Sequence, residues 1–277
     1  MANPTLLQLQ LGRRLRELRQ EAGLSIAEAA DRVLLSPAQV SRIETGQRRA
    51  SLRDVRALSK LYEFPEEELM ELAKQARETE WWHRLEARDL RMYIGLENEA
   101  AAISYYGTTT LHGLVQTEEY ARAVIKGYLP RITDTALEER VRTRMKRQEI
   151  LERVDPPKFW VMLDECAIHR MMGGAQVMGG QLRRLSELSE RPNITVLIVP
   201  FSAGAHMALD SAFQLLEFDQ AAPGLTDTVF METLAGDVYL QKAERVKRFR
   251  EVLDHLRAMA LNPHDSRNMI LRKLRDL

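Results

Sequence analysis

Three serines near the start of the chain each stand where a helix has to begin, and their spacing leaves room only for short helices. Ser25, with Glu28 three residues on, forms a capping box that opens one helix, which runs to about Val33. Ser36-Pro37 opens the next, since serine caps free N–H groups and proline is tolerated in a first turn; it runs to about Thr45 and stops at Gly46. Ser51 opens a third, carrying Leu52, Val55, Leu58 and Leu61 until Phe64-Pro65 ends it. Ahead of them, Leu6 to Ala22 repeats apolar residues at helical spacing, with Leu11, Leu15 and Leu18 on one stripe and Arg13, Arg14 and Arg16 around it, before a stop at Gly23. An acidic helical stretch from Glu66 to Glu78 follows. Short helices with so few residues between them must cross steeply around one small core.

Two of these helices have the form of a helix-turn-helix, whose second helix needs a short, polar, basic outer face to enter the major groove. Val40 and Ile43 face inward, which directs Ser36, Gln39, Ser41 and Arg42 outward. Glutamine can bond adenine N6 and N7, arginine guanine O6 and N7, while serines at helix starts, Ser25 and Ser36, suit phosphate oxygens. Gln47, Arg48 and Arg49 come directly after the helix, placed to grip the backbone, and Arg13 is a further backbone candidate. The charge balance agrees: residues 1 to 60 hold 11 Lys/Arg against 6 Asp/Glu, and residues 61 to 80 hold 2 against 7, so a basic head precedes an acidic segment within a chain of zero net charge. The plainer alternative is a helical bundle with solvated arginines. It leaves unexplained the conjunction of capped helices, the Ser-Pro start and the trailing arginines.

At 277 residues the chain exceeds most single cores, so a second, larger domain is expected. Trp81-Trp82 opens it, and helical stretches follow at Glu97 to Tyr105, Thr117 to Tyr128 and Asp134 to Val154. The period then changes. Lys158 to Leu163 and Asn193 to Val199 are β-branched and aromatic runs separated by the helical stretch Gln181 to Glu190, an order that predicts a parallel pair with a right-handed crossover. Ser211 to Phe218 and Thr226 to Leu234, joined at Pro223-Gly224, predict an antiparallel hairpin on the same sheet. A helix from Gln241 to Leu261 and a basic tail helix from about Asp265 complete the pattern. The expected architecture is multi-domain: an all-α helix-turn-helix domain at 1–64, an acidic helical connector at 65–80, and an α+β effector and dimerisation domain with a small mixed sheet at 81–277. The single cysteine, Cys166, allows no intramolecular disulfide and has no CxxC partner, and the chain shows neither an apolar leader nor a stretch long enough to span a bilayer, so a cytoplasmic location without membrane association is expected.

The stretches LGRRLRELRQEAGLS at 11–25 and SPAQVSRIETGQRR at 36–49 resemble the Cro/CI, or XRE-type, helix-turn-helix family without gaps. The resemblance implies a DNA-binding transcription regulator, and a pairing of Arg19 with Glu44 that ties the first helix to the recognition helix. Three positions depart from the family pattern: Ile26 replaces the usual Gln at the first position of the second helix, Leu34 the turn glycine, and Ala50 a common proline. A residue with a Cβ at the turn implies either a wider turn or a strained one. From about Trp81 to Asn268 the chain resembles the C-terminal domain of WhiJ-like actinobacterial regulators, in YIGLENEA at 93–100, LHGLVQTEEYA at 111–121, RMKRQEIL at 144–151, VMLDECAIHRMMGG at 161–174, NITVLIVPFSAGAH at 193–206 and SAFQLLEF at 211–218, with His112 where proline is usual. That resemblance implies a sensing, dimerising or partner-binding role, often beside a small partner protein, and no known ligand.

Chemistry in the larger domain is thinly signalled. His112, His169, His206 and Cys166 lack metal-ligand spacing, the Gly173-Gly174 and Gly179-Gly180 pairs lack a phosphate-loop pattern, and no catalytic constellation stands out, so neither enzyme activity, metal nor cofactor is expected. Asp164 and Glu165 fall at the carboxyl end of a strand, where open α/β sheets bind ligands, and Trp81 and Trp82 could wall such a site or form the interdomain hinge. Glu165 could equally serve structure by bonding helix N-termini or an arginine. The resulting expectation is a regulator, dimeric on double-stranded operator DNA, whose affinity is set by a small-molecule effector or a partner protein. The competing class is an antitoxin-like module that holds a small partner protein and binds DNA mainly in that complex.

Overall fold

The computed structural model describes residues 6–76, 88–219 and 225–277. The chain divides into two compact units, residues 1–96 with 219–226 and residues 97–218 with 227–277. Trp81 and Trp82, and the Pro223-Gly224 turn, lie outside the described residues.

The smaller unit is helical: α1 (Leu6–Glu21), α2 (Ile26–Arg32), α3 (Pro37–Glu44), α4 (Leu52–Leu61) and α5 (Glu66–Gln75). Helix α1 ends in left-handed Gly23, whose N–H donates to the carbonyl of Gln20 while Leu24 N–H donates to that of Arg19. All three serines cap as their positions require, and each does so within a full box: Ser25 with Glu28, Ser36 with Gln39, Ser51 with Asp54. The core takes Leu11, Leu15 and Leu18 from α1, Ala29 from α2, Ile43 from α3 and Val55 and Leu58 from α4. Leu69, Leu72 and Ala73 of the acidic α5 join the same cluster. Each buried leucine contributes about 1.5–3 kcal/mol, so the charged outer face of α5 is carried by an inner face that helps hold the unit together.

After α6 (Arg88–Glu99), the larger unit is built on a six-stranded sheet: β1 (Ala102–Gly107), β2 (Lys158–Asp164), β3 (Ile194–Val199), β4 (Phe213–Glu217), β5 (Thr228–Thr233) and β6 (Gly236–Leu240), in the order β3-β2-β1-β4-β5-β6. The strands β1, β2 and β3 are mutually parallel, and β4, β5 and β6 continue antiparallel, giving the mixed sheet that the sequence predicts. Helices α7 (Glu118–Tyr128) and α8 (Asp134–Arg147) cross from β1 to β2, α9 (Glu165–His169) and α10 (Ala175–Leu188) from β2 to β3, and α11 (Ala243–Met259) and α12 (Pro263–Arg275) follow the sheet. One face presents Tyr106, Met162, Leu197, Phe213 and Leu215 to Val246, Val252, Leu253 and Leu256 of α11. The other presents Ile103, Tyr105, Phe159, Val161 and Leu163, all buried.

Besides the crossover helix α10, which starts at Ala175 where Gln181 is expected, three assignments change. The helix expected over Glu97 to Tyr105 ends at Glu99, and residues 102–107 form the strand β1 between β2 and β4. The alanines and glutamates read as helix, but Ile103, Tyr105 and Tyr106 gain two strand partners and burial on both faces, which outweighs local propensity. The helix expected to reach Val154 ends at Arg147 and passes into a 3-10 turn, Gln148–Leu151, where the Gln148 amide donates to the carbonyls of Gly113 and Gln116. Strand β6 was not expected; its alternating GDVYL run is too short to register without its partner β5.

Candidate nucleic-acid interface

Helix α3 is fixed from behind. Arg19 of α1 meets Glu44 at the end of α3 through two bonds, Nε to Oε1 at 2.6 Å and Nη2 to Oε2 at 3.0 Å, and its remaining nitrogen donates to the carbonyl of Leu24 at 2.7 Å. Both side chains are buried, and removing one partner from such a pair costs about 3–5 kcal/mol because the other charge is left without compensation. The bond to Glu44 holds the guanidinium pKa above its usual value. Burial first, and the Glu44 charge second, push the Tyr62 hydroxyl up to about 12. A second constraint is steric. A Cβ at Gly12 would stand 2.4 Å from the carbonyl oxygen of Ile43 and 2.7 Å from that of Glu44, so α1 and α3 touch backbone to backbone.

The outer face of α3 carries Ser36, Gln39 and Arg42 at successive turns, with Arg42 exposed and Ser41 half-buried. The capping box alters what two of them offer. Ser36 Oγ accepts from Gln39 N–H at 3.2 Å, and Ser36 N–H donates to Gln39 Oε1 at 2.8 Å. The glutamine carbonyl is thereby engaged and its amide NH2 remains to donate, which suits a guanine edge or a phosphate; two-point reading of adenine would require the box to open. Ser25 is engaged in the same way by Glu28, whose pKa is lowered by those bonds. Gly46, left-handed, turns the chain after α3 and leaves Gln47 and Arg49 exposed, while Arg48 is half-buried with Asp54 at 4.0 Å. Arg13 is exposed on α1 and bonds Glu17 at 3.2 Å. Leu34 adopts φ 58° at the turn between α2 and α3 and is 89% exposed, so the missing turn glycine is met by a strained left-handed backbone.

In the larger unit Asp164 and Glu165 do stand at the carboxyl end of β2, and each has an internal partner. Asp164 Oδ1 accepts from Cys166 N–H at 2.8 Å, capping α9, and its other oxygen is 3.9 Å from His206 Nε2. Glu165 Oε2 accepts from Phe201 N–H at 2.8 Å, and its other oxygen is 3.4 Å from His169 Nε2. Sequence reasoning gave no place to Tyr106, whose buried hydroxyl lies 3.2 Å from His206 Nε2, nor to the buried pair of Arg147 with Glu97, joined at 2.7 and 2.8 Å. These pairings join residues about 50 and 100 positions apart, and no local pattern marks them. His112 bonds Gln214 through Nε2 at 2.9 Å and accepts from Leu114 N–H through Nδ1, so its proton sits on Nε2; burial pushes its pKa down to about 4. Among the described residues no group of three His, Cys, Asp or Glu side chains could hold a metal ion, and no helix is long and apolar enough to cross a membrane.

Comparison with known families follows the same division. Residues 10–72 match a helix-turn-helix domain, and residues 90–272 match a domain of unknown function, DUF5753. The chain belongs to the DUF5753 family. No curated protein is detectably similar to this DUF5753 protein. Among solved structures it is similar to the restriction-modification controller protein C.AhdI from Aeromonas hydrophila, 35% identical over 22% of this chain and 94% of that one, with a TM-score of 0.22. It is also similar to the clp gene regulator ClgR from Corynebacterium glutamicum, 23% identical over 27% of this chain and 97% of that one, with a TM-score of 0.23.

Proposed function

We propose that this DUF5753 protein is a cytoplasmic, sequence-specific DNA-binding transcription regulator of XRE type. It reads a double-stranded operator as a homodimer and is modulated through its larger unit, as in WhiJ-like regulators, by a small molecule or a partner protein. The observation that carries the reading is α3 itself: a capped helix locked to α1 by Arg19 and Glu44, presenting Gln39 and Arg42 with Gln47 and Arg49 directly behind. Arg42 and the Gln39 amide supply donors to base edges, and Arg13, Gln47, Arg48 and Arg49 supply phosphate contacts, with Ser25, Ser36 and Ser41 fixing helix ends and completing the polar face. One such helix reads only a few base pairs. Two heads on half-sites about 34 Å apart sum their contacts, and an effector that changes that spacing changes affinity. In this division residues 1–64 are the reader, 65–80 a connector whose α5 packs into the reader's core, and 81–277 the effector part; Asp164 and Glu165, which also hold Cys166 and Phe201 N–H, and Trp81 and Trp82 are its proposed ligand-side residues.

The test is enrichment of genomic fragments by the purified protein beside a Gln39→Ala/Arg42→Ala variant, at about 150 mM salt, where non-specific binding is screened. The wild type is expected to select a discrete site that the variant loses. Equal selection by both would move base reading away from α3, and selection by neither would remove DNA reading as the protein's own activity.

A further inference from the structure

The parallel strands β1, β2 and β3 end on one side of the sheet; β4 runs the other way and β5 runs back in the direction of β1, so the start of β4 and the β5–β6 turn lie on that side too. Large apolar side chains collect there in the open. Met171 follows α9, Phe201, Met207 and Leu209 lie in the segment from β3 to β4, and Leu234 is in the β5–β6 turn; their exposures run from 48% to 103%. Tyr128, 65% exposed, ends α7, whose Ala123 stands 3.0 Å from where a Cβ on Gly173 would be, in the same loop as Met171. In the described loops at the opposite end of the sheet, Val154 is the large apolar side chain so exposed. These six side chains, five of them more than half exposed, offer on the order of 500 Å² of apolar surface, more than scattered surface residues explain and most of the ~800 Å² that a stable interface buries on each partner.

The charges around this row select the occupant. Lys126, Arg131 and Arg170 are exposed on the α7 and β2 side, Asp210 and Glu232 on the β4 and β5 side, and none of the five forms an ion pair among the described residues. Asp164 and Glu165, also at this end, accept from the N–H groups of Cys166 and Phe201; Asp237 stands opposite Glu232 on β6, and Asp134 opens α8 three residues after Arg131. With three cations against Asp134 on one side, and Asp210, Glu232 and Asp237 on the other, the open surface is net basic at one side, acidic at the other and apolar between. An interface between identical copies must complement itself, and a two-fold axis through the middle of the row, above β1 and β4, lays the basic side of one copy on the acidic side of its mate and the apolar row on itself. We propose that this end of the sheet is the surface through which two copies of the chain join. The proposal rests on the dimeric reading given above and assigns the surface that serves it.

Sedimentation of the full chain across micromolar concentrations tests both. The wild type is expected to be dimeric, and Phe201→Asp/Met207→Asp to weaken the dimer at least ~tenfold, as loss of central apolar anchors does. Arg170→Glu, a fully exposed change, is expected to weaken it as well, and Asp210→Lys/Glu232→Lys in the same chain to recover it. Circular dichroism checks that each variant folds; should the aspartate pair unfold the chain, the charge exchange carries the test. A dimer whose dissociation constant none of these changes moves overturns the surface and leaves the dimeric reading standing. A wild type that stays monomeric, alone or held by another protein, overturns both.

Discussion

At the scale of single residues, the positions that depart from easy local rules are the informative ones. Leu34 occupies a left-handed turn that costs a residue with a Cβ about 1–2 kcal/mol, while glycine there would forfeit roughly 0.5–1 kcal/mol of extra unfolded freedom. Leu34→Gly is therefore expected to stabilise the helical unit by about 0.5–1 kcal/mol, as a higher midpoint in denaturant with unchanged slope; a lower midpoint would mean that the exposed leucine makes contacts of its own. His112 makes a prediction in pH. Its folded pKa of about 4 lies below the unfolded value near 6.5, so the unfolded chain takes up the proton first as pH falls. Its contribution to stability is whole above about pH 6.5 and is lost progressively as pH falls toward 4, to a total of roughly 3 kcal/mol. Denaturant titrations of wild type and His112→Gln across that range should converge at the acid end. Parallel pH dependences would place the acid sensitivity elsewhere.

At the scale of elements, the fold of the head depends on how closely α1 and α3 approach. Gly12 permits that approach, and the Arg19–Glu44 pair ties the two helices together. A methyl group at Gly12 meets backbone oxygens that cannot rotate away, so Gly12→Ala is expected to destabilise the head by ~1–3 kcal/mol or more despite the better helix propensity of alanine. Operator affinity should fall with it, measured beside a thermal melt. An unchanged melt would show that the two helices have room to separate. The same scale explains the two readings of α3. Its serine start is a local signal, and S-P-A-Q is itself the spacing of a capping box, yet the engagement of the Gln39 carbonyl matters only once one asks what remains free to meet a base.

At the scale of the whole molecule, net charge zero conceals a basic reader, and the expected consequence is a salt dependence set by the head. Operator affinity should fall steeply with salt, and Arg49→Ala should reduce the slope of log K against log salt by about 0.9 without altering sequence preference, whereas Arg42→Ala should relax that preference by ~1–3 kcal/mol. Identical slopes for wild type and Arg49→Ala would remove that side chain from the phosphate contacts. Read from sequence alone, the helical head was accessible almost in full, because caps, stops and the Leu11, Leu15, Leu18 stripe act within a few residues of one another. The parallel pair and the first hairpin were accessible for the same reason, their β-branched runs being long enough to show a period. Strand β1 was not: AISYYG has a mixed propensity, and pairing on both sides with segments some 55 and 110 positions away makes it a strand. The Arg147–Glu97 and Tyr106–His206 pairings, the closeness of Gly12 to α3 and the gathering of apolar side chains at one end of the sheet likewise belong to tertiary structure. Sequence determines what neighbours along the chain can do for one another; only folding decides which distant groups share a buried space, and there the cost of an unpaired charge or a misplaced atom is highest.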